Sequence, residues 1–172
     1  MYYQNRGGPP RLQGYDYTSC GHYFVTINVK DMIPYFGRII DKKHYLNVVG
    51  KVVEDTWIEI PSKFSNVVLD IFIVMPEHFH GIISITERRS DLERFTSKDI
   101  GGVTGIKNPM IVNGLGAVVR WFKARCTRQI REYIPEFNWL PGYFDVVIWN
   151  QTELNRIRRY ILTNPHRYEG HG

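Results

Sequence analysis

The sequence predicts an α+β fold, a ferredoxin-like βαββαβ sandwich with one additional C-terminal helix. Three observations predict it. Strand-like and helix-like segments follow one another as strand, helix, two strands, helix, strand, helix. At 172 residues the chain suits one domain with a sizeable core. Its 43% hydrophobic and 14% aromatic content excludes a disordered or low-complexity protein.

Residues 1–14 are rich in Gly and Pro and read as a flexible N-terminal arm, with 15–172 as the domain itself. Residues 22–29 (His-Tyr-Phe-Val-Thr-Ile-Asn-Val) are aromatic and β-branched, which suits a strand. Residues 47–60 place Val49, Val53, Trp57 and Ile60 at helical spacing, with Pro61 as the stop. The nearly continuous apolar run 67–75 suits a central strand. Pro76-Glu77 breaks that run, and 78–85 resumes as a second strand closely joined to it.

Residues 86–113 are polar, with Gly101, Gly102 and Gly105, and read as a mobile surface excursion. From 115 to 133, Leu115, Val118, Val119, Phe122, Cys126, Ile130 and Tyr133 form one apolar stripe of an amphipathic helix. Arg120, Lys123, Arg125, Arg128 and Arg131 fill much of its remainder. Residues 143–149 suit another strand. Thr152 is a candidate N-cap for a last helix through Thr163, stopped by Asn164-Pro165. In this topology the first and third strands are central, which places 78–85 at or beside the middle of the sheet.

Charge is unevenly distributed. Residues 1–102 carry 12 Lys/Arg against 12 Asp/Glu, while residues 103–172 carry 10 against 5 and so hold the whole net +5. A basic half favours a nucleic-acid partner. Cys20 and Cys126 lack metal-ligand spacing and suit reduced thiols. With no signal-like N-terminus and no apolar stretch long enough to cross a bilayer, the expectation is a cytoplasmic protein without membrane partners.

Two fragments stand out as chemistry. His78 and His80 alternate on a strand and so can present two imidazoles to one cation. Tyr160 and Asn164 are four apart on a helix and share a face. Together they could hold a divalent metal through two imidazoles and an amide oxygen, with a tyrosine hydroxyl beside it. That set suits attack on a phosphodiester. Each piece also has a plain structural alternative: paired core histidines, a tyrosine flanking the buried stripe Leu154, Ile157 and Ile161, and an asparagine ending a helix. Imidazoles favour metals such as Mn and Zn, yet amide oxygen, waters and phosphate can still accommodate Mg or Mn.

A resemblance then becomes specific. Tyr-Asp-Tyr (15–17), Tyr-Phe-Val-Thr-Ile (23–27), Val-Met-Pro-Glu-His-Phe-His-Gly-Ile-Ile (74–83), Val-Val-Arg-Trp-Phe-Lys (118–123) and Leu-Asn-Arg-Ile-Arg-Arg-Tyr-Ile-Leu-Thr-Asn-Pro (154–165) occur in family order. The chain resembles the single-tyrosine transposases of the HUH superfamily, in particular the REP-associated group called RAYT proteins. The resemblance runs from about residue 14 to 168. It implies the HUH endonuclease fold, His78, His80 and Asn164 as ligands of Mg or Mn, and Tyr160 as nucleophile. It further implies cleavage of single-stranded DNA near hairpins through a 5′-phosphotyrosine link that frees a 3′-OH. Arg120, Lys123, Arg125, Arg128, Arg156, Arg158 and Arg159 are candidates for backbone phosphates. Trp121, Trp139, Tyr143 and Trp149 are candidate stacking partners for unpaired bases, with core packing as the alternative.

The chain departs from the family pattern at three places. Glu77 replaces a usual Asn, Leu140 a usual Gln, and Val146 a usual His. These departures motivate a second reading, a domesticated hairpin-DNA-binding protein with weak or lost catalysis. A third reading is an unrelated metal hydrolase built on His78 and His80. Tyr143 is the alternative nucleophile, without an amide partner four residues on. Monomer and homodimer are both compatible with the family.

Overall fold

The computed structural model describes residues 14–86 and 114–168. The arm expected at 1–14 and the excursion expected at 86–113 lie, except for their boundary residues Gly14 and Thr86, outside the described residues. In chain order the elements are β1 (Gly21–Asn28), β2 (Gly37–Ile40), β3 (Lys43–Leu46), α1 (Val48–Ile58), α2 (Ile60–Lys63), β4 (Val67–Val74), β5 (His78–Ile85), α3 (Leu115–Ile130), β6 (Phe144–Ile148) and α4 (Gln151–Arg167).

Four strands form one antiparallel sheet in the order β4-β5-β1-β6. This is the order expected of the βαββαβ pattern, and it makes the His-x-His strand β5 central. Every residue of β5 is buried, because layers cover both faces of the sheet. Strand alternation sorts the side chains between them. Tyr23, Val25, Ile27, Phe79, Ile83 and Val147 face α1 and α3, while Phe24, Ile82 and Ile148 face α4.

The α1/α3 layer is aromatic and dry. The Trp57 ring lies 4.4 Å from that of Phe79 and 5.1 Å from that of Phe122, centroid to centroid. All three are completely buried, each contributing on the order of 2 kcal/mol through area removed from water. Gly81 makes this closeness possible: a Cβ there would come within 2.6 Å of Trp57 Cζ2 and 2.9 Å of Phe79 Cε1. Asn47 caps α1 by accepting from the Gly50 N–H at 2.9 Å. The expected stop at Pro61 becomes a short break: α1 ends at Ile58, and Pro61 sits in the first turn of α2, where its missing N–H costs nothing.

Several boundaries differ from expectation. The β2–β3 hairpin was not expected, since its turn residues Asp41 and Lys42, at φ 48° and 61°, lack the Gly that usually marks a type I′ turn. Helix α3 stops at Ile130, and Tyr133 is 60% exposed rather than part of the buried stripe. The N-cap of α4 is Asn150, which accepts from the Glu153 N–H at 2.9 Å, not Thr152. Helix α4 also continues through Pro165 to Arg167. A proline this near the end forfeits one hydrogen bond, to the Ile161 carbonyl, and burial of Asn164 and Pro165 holds the last turn in place. Among the described residues no helix is long and apolar enough to cross a membrane.

A bulge in β4 sets where α4 docks. The register with β5 shifts between Leu69 and Phe72, which turns Asp70 and Ile71 toward the same face. Asp70 there meets Arg158 of α4 in a bidentate pair, with Nη2···Oδ2 at 2.6 Å and Nε at 3.1 Å from both oxygens. Leu154, Ile157 and Ile161 fill the remainder of the α4–sheet contact.

Candidate functional site

On the α4 face of β5, His78 and His80 point the same way, as alternate strand residues must. Their rings are 4.6 Å apart, and both side chains are buried. Each ring is fixed through Nδ1. His80 Nδ1 lies 2.8 Å from the hydroxyl of Thr26, its cross-strand partner on β1. His78 Nδ1 lies 3.1 Å from Glu77 Oε1. A carboxylate accepts but does not donate, so in a neutral His78 ring that contact places the proton on Nδ1 and leaves the lone pair on Nε2. Burial, reinforced by the neighbouring His78, holds the His80 imidazole well below its ordinary pKa and therefore neutral.

Helix α4 supplies the tyrosine. The Tyr160 ring is 5.4 Å from that of His80 and 6.1 Å from Phe24, both edge-on. Phe24 in turn stacks on His80 at 5.4 Å. One chain therefore brings together the histidine pair and the tyrosine expected to work with it. At the other end of the site, the Tyr168 hydroxyl donates to Glu77 Oε2 at 2.8 Å. Burial first, and this bond second, push the Tyr168 phenol pKa upward, so it remains a donor.

These two tyrosine contacts bracket Asn164. Eight helical residues from Tyr160 to Tyr168 advance about 12 Å. The three strand steps from His80 back to Glu77 cover about 10 Å. The two lengths are comparable, and Asn164, in the last turn of α4 between the two tyrosines, is buried. Among the described residues no group of three or more His, Cys, Asp or Glu side chains is placed to hold a metal ion. A cation at the imidazole pair would need an oxygen ligand from an amide, solvent or substrate.

The expected DNA contacts divide between the two sides of the sheet. Arg120, Lys123, Arg125 and Arg128 lie on α3, in the layer across the sheet from Tyr160. Lys123 donates to the carbonyls of Leu140 and Gly142, both at 2.7 Å, and burial lowers its pKa to about 8. Arg125 pairs with Glu59 at 3.4 Å. Arg158 is engaged with Asp70. Arg156, 3.6 Å from Glu153, and Arg159 are exposed on α4, one turn before and next to Tyr160.

Of the candidate stacking residues, Trp139 is core: it packs at 5.2–5.3 Å from Phe137 and Phe36 and donates Nε1–H to the Lys123 carbonyl. Trp121 packs edge-on to Phe64, and Tyr143 is half-buried. Trp149 is 67% exposed beside Tyr15. Two site residues escaped sequence reasoning. Thr26 could have been found from strand pairing, since it faces His80 in register. Tyr168 had no local signal, lying 91 residues from Glu77.

The fold is similar to that of a REP-associated tyrosine transposase solved bound to a REP hairpin, with a TM-score of 0.61 and 17% identity, covering 92% of this chain and 74% of that one. No family model matches the chain. In sequence, an uncharacterized protein of Haemophilus influenzae is 34% identical over 160 residues, covering 92% of this chain and 88% of the relative. At that identity and coverage, the chain belongs to the same protein family as the Haemophilus influenzae protein.

Proposed function

We propose that the protein is a transposase-like enzyme that nicks and rejoins single-stranded DNA near hairpins, with Tyr160 as nucleophile and Mg or Mn as cofactor. The observation that carries this reading is the Tyr160 ring packed against His80 of a buried His-x-His pair within one chain. The fold likeness to a hairpin-bound tyrosine transposase supports the same partner. His78 and His80 would hold the cation through Nε2, and Asn164 would add its amide oxygen. Bound there, a divalent cation would supply charge neutralisation for a phosphodiester in the transition state.

The chain's own contribution is orientation. Phe24 and His80 hold the Tyr160 ring against the sheet, so the nucleophile would start from a ring already packed beside the histidine pair. Attack forms the Tyr160 oxygen–phosphorus bond and breaks the bond from phosphorus to the 3′ oxygen. The phenolic proton leaves to solvent, and the departing 3′ oxygen takes one up as 3′-OH. The phosphotyrosine conserves the bond energy, so the 3′-OH can reverse the step and rejoin strands. Arg156 and Arg159, beside Tyr160 on the exposed side of α4, are the best placed of the candidate cations to meet DNA phosphates. The tyrosine serves the histidines of its own chain in this arrangement, which suits a monomer.

The test is covalent capture. With Mn and hairpin DNA bearing an unpaired flank, the wild-type protein becomes attached to a 5′ fragment that survives denaturing electrophoresis. Tyr160→Phe abolishes the adduct and retains hairpin binding. An adduct that persists in Tyr160→Phe sinks the assignment. Hairpin binding with no cleavage under Mg or Mn favours instead a hairpin-binding protein, the reading that Glu77, Leu140 and Val146 motivate.

A further inference from the structure

We infer that Glu77 and Tyr168 act together as a positioning unit that orients His78 toward a cation and couples it to the helix carrying Tyr160. The inference rests on the reading of His78 as a metal ligand. Glu77 is almost wholly buried, and its two carboxylate oxygens are divided between two partners: Oε1 faces His78 Nδ1 at 3.1 Å, and Oε2 accepts from the Tyr168 hydroxyl at 2.8 Å. The backbone around it is pinned. The Glu77 carbonyl accepts from the Val29 N–H at 2.9 Å, the Pro76 carbonyl from the Phe36 N–H at 2.9 Å, and the Met75 N–H donates to the His78 carbonyl at 2.8 Å. The carboxylate therefore has a fixed origin and a fixed aim.

Three consequences follow from that geometry. The carboxylate fixes the His78 tautomer, because only an N–H can face it, and so reserves Nε2 for a cation. An amide at this position would lack this selectivity, since it can present either oxygen or nitrogen. Tyr168 in turn prevents the carboxylate from swinging away from the ring. Because Tyr168 closes α4, the same bond sets the end of the helix that carries Tyr160 at its middle and Asn164 in its last turn. Histidine orientation and tyrosine placement are thereby linked through one buried carboxylate. Neither Glu77 nor Tyr168 needs to touch substrate, so both are positioning residues.

The experiment measures Mn affinity of the full chain, by titration calorimetry or by the loss of the free-ion electron paramagnetic resonance signal, for wild type, His78→Ala, Glu77→Gln, Tyr168→Phe and the Glu77→Gln/Tyr168→Phe double variant. Thermal melts of each establish that the molecules titrated are folded. Outer-sphere partners of this kind are typically worth about ten- to a hundredfold in metal affinity. Glu77→Gln is expected to weaken Mn binding by that factor and Tyr168→Phe by a smaller one. The double variant is expected to bind no more weakly than Glu77→Gln, because Tyr168 acts through the carboxylate. If wild type binds Mn and His78→Ala does not, while both Glu77→Gln and Tyr168→Phe bind like wild type, the inference fails and the metal reading stands. A lowered melting temperature with unchanged Mn affinity shows a merely structural role and overturns it equally. If His78→Ala binds as tightly as wild type, or wild type binds no Mn, the metal reading fails and takes the inference with it.

Discussion

The two faces of the sheet solve different problems with the same strands. Against α1 and α3, β5 presents Phe79, Gly81 and Ile83 to a layer built from Trp57 and Phe122. Against α4, the same strand presents His78, His80 and Ile82. The first face gains chiefly from area, even with the Trp57 indole N–H buried without a hydrogen-bond partner among the described residues. The second must find partners for every polar atom it buries, because each one left unpaired costs about 1–3 kcal/mol. Thr26, Glu77 and Tyr168 are those partners. The contrast teaches that apolar packing is concentrated on one side of β5 and the buried polar side chains, with the candidate site, on the other. The polar side tolerates its burden because a dry core fixes the strand from behind.

Damage to the dry face should therefore cost stability first. Trp57→Ala removes a completely buried ring in contact with Phe79 and Phe122, and about 3–5 kcal/mol of stability should go with it. Denaturant titration followed by circular dichroism measures this. At temperatures where the variant remains folded, Mn affinity should match wild type. A variant that kept its stability and lost its Mn would show that the division between faces is wrong.

Overfilling the same face should be milder. Gly81→Ala pushes a methyl group to within 2.6 Å of Trp57 and 2.9 Å of Phe79, so the buried rings must shift to admit it, at a cost of about 1–3 kcal/mol. The strand is common to both faces, so any backbone shift also reaches His80. A stability loss accompanied by weaker Mn binding would measure how rigidly the core supports the site. A neutral result would mean that Trp57 can reorient.

Legibility in the sequence followed the same division. The dry face was readable because its signals are local: apolar runs at 67–75 and 78–85, and helical stripes through Val53 and Trp57 or Val118 and Phe122. Sheet order followed from the element pattern. On the polar face, His78, His80 and Tyr160 were recognisable by motif, and the structure brings their rings together. Its supporting contacts were not readable, because they join residues distant in sequence, such as Tyr168 with Glu77. The basic stripe of α3 shows the limit of charge patterning. It predicts an exposed cationic face, but Lys123 is committed to two carbonyls and Arg125 to Glu59. The hairpin at 37–46 escaped because αL turn residues without Gly or Asn give no signal. The β4 bulge escaped because an unbroken apolar run does not reveal where one residue is left unpaired.

That bulge offers the smallest and most specific way to separate the faces. Burial, the largest influence on the Asp70 carboxyl, pushes its pKa up, yet the Arg158 guanidinium and the Ile71 N–H outweigh it and hold the group below its ordinary value of 3.8. A carboxyl with a depressed folded-state pKa contributes stability that is present above the unfolded value and lost as pH falls through the folded one. Asp70→Asn should therefore cost little at neutral pH, about 0.5–1 kcal/mol, since Arg158 is partly exposed and solvent screens the pair. The difference between variant and wild type should shrink as pH drops below about 4 and vanish once Asp70 is protonated. Because Asp70 holds α4 and not α1 or α3, the loss should appear as faster amide hydrogen exchange in α4, while α1 and α3 exchange as in wild type. Equal loosening of all three helices would mean that the two faces behave as one cooperative unit, and that the polar groups of the α4 face are held in place by the whole core.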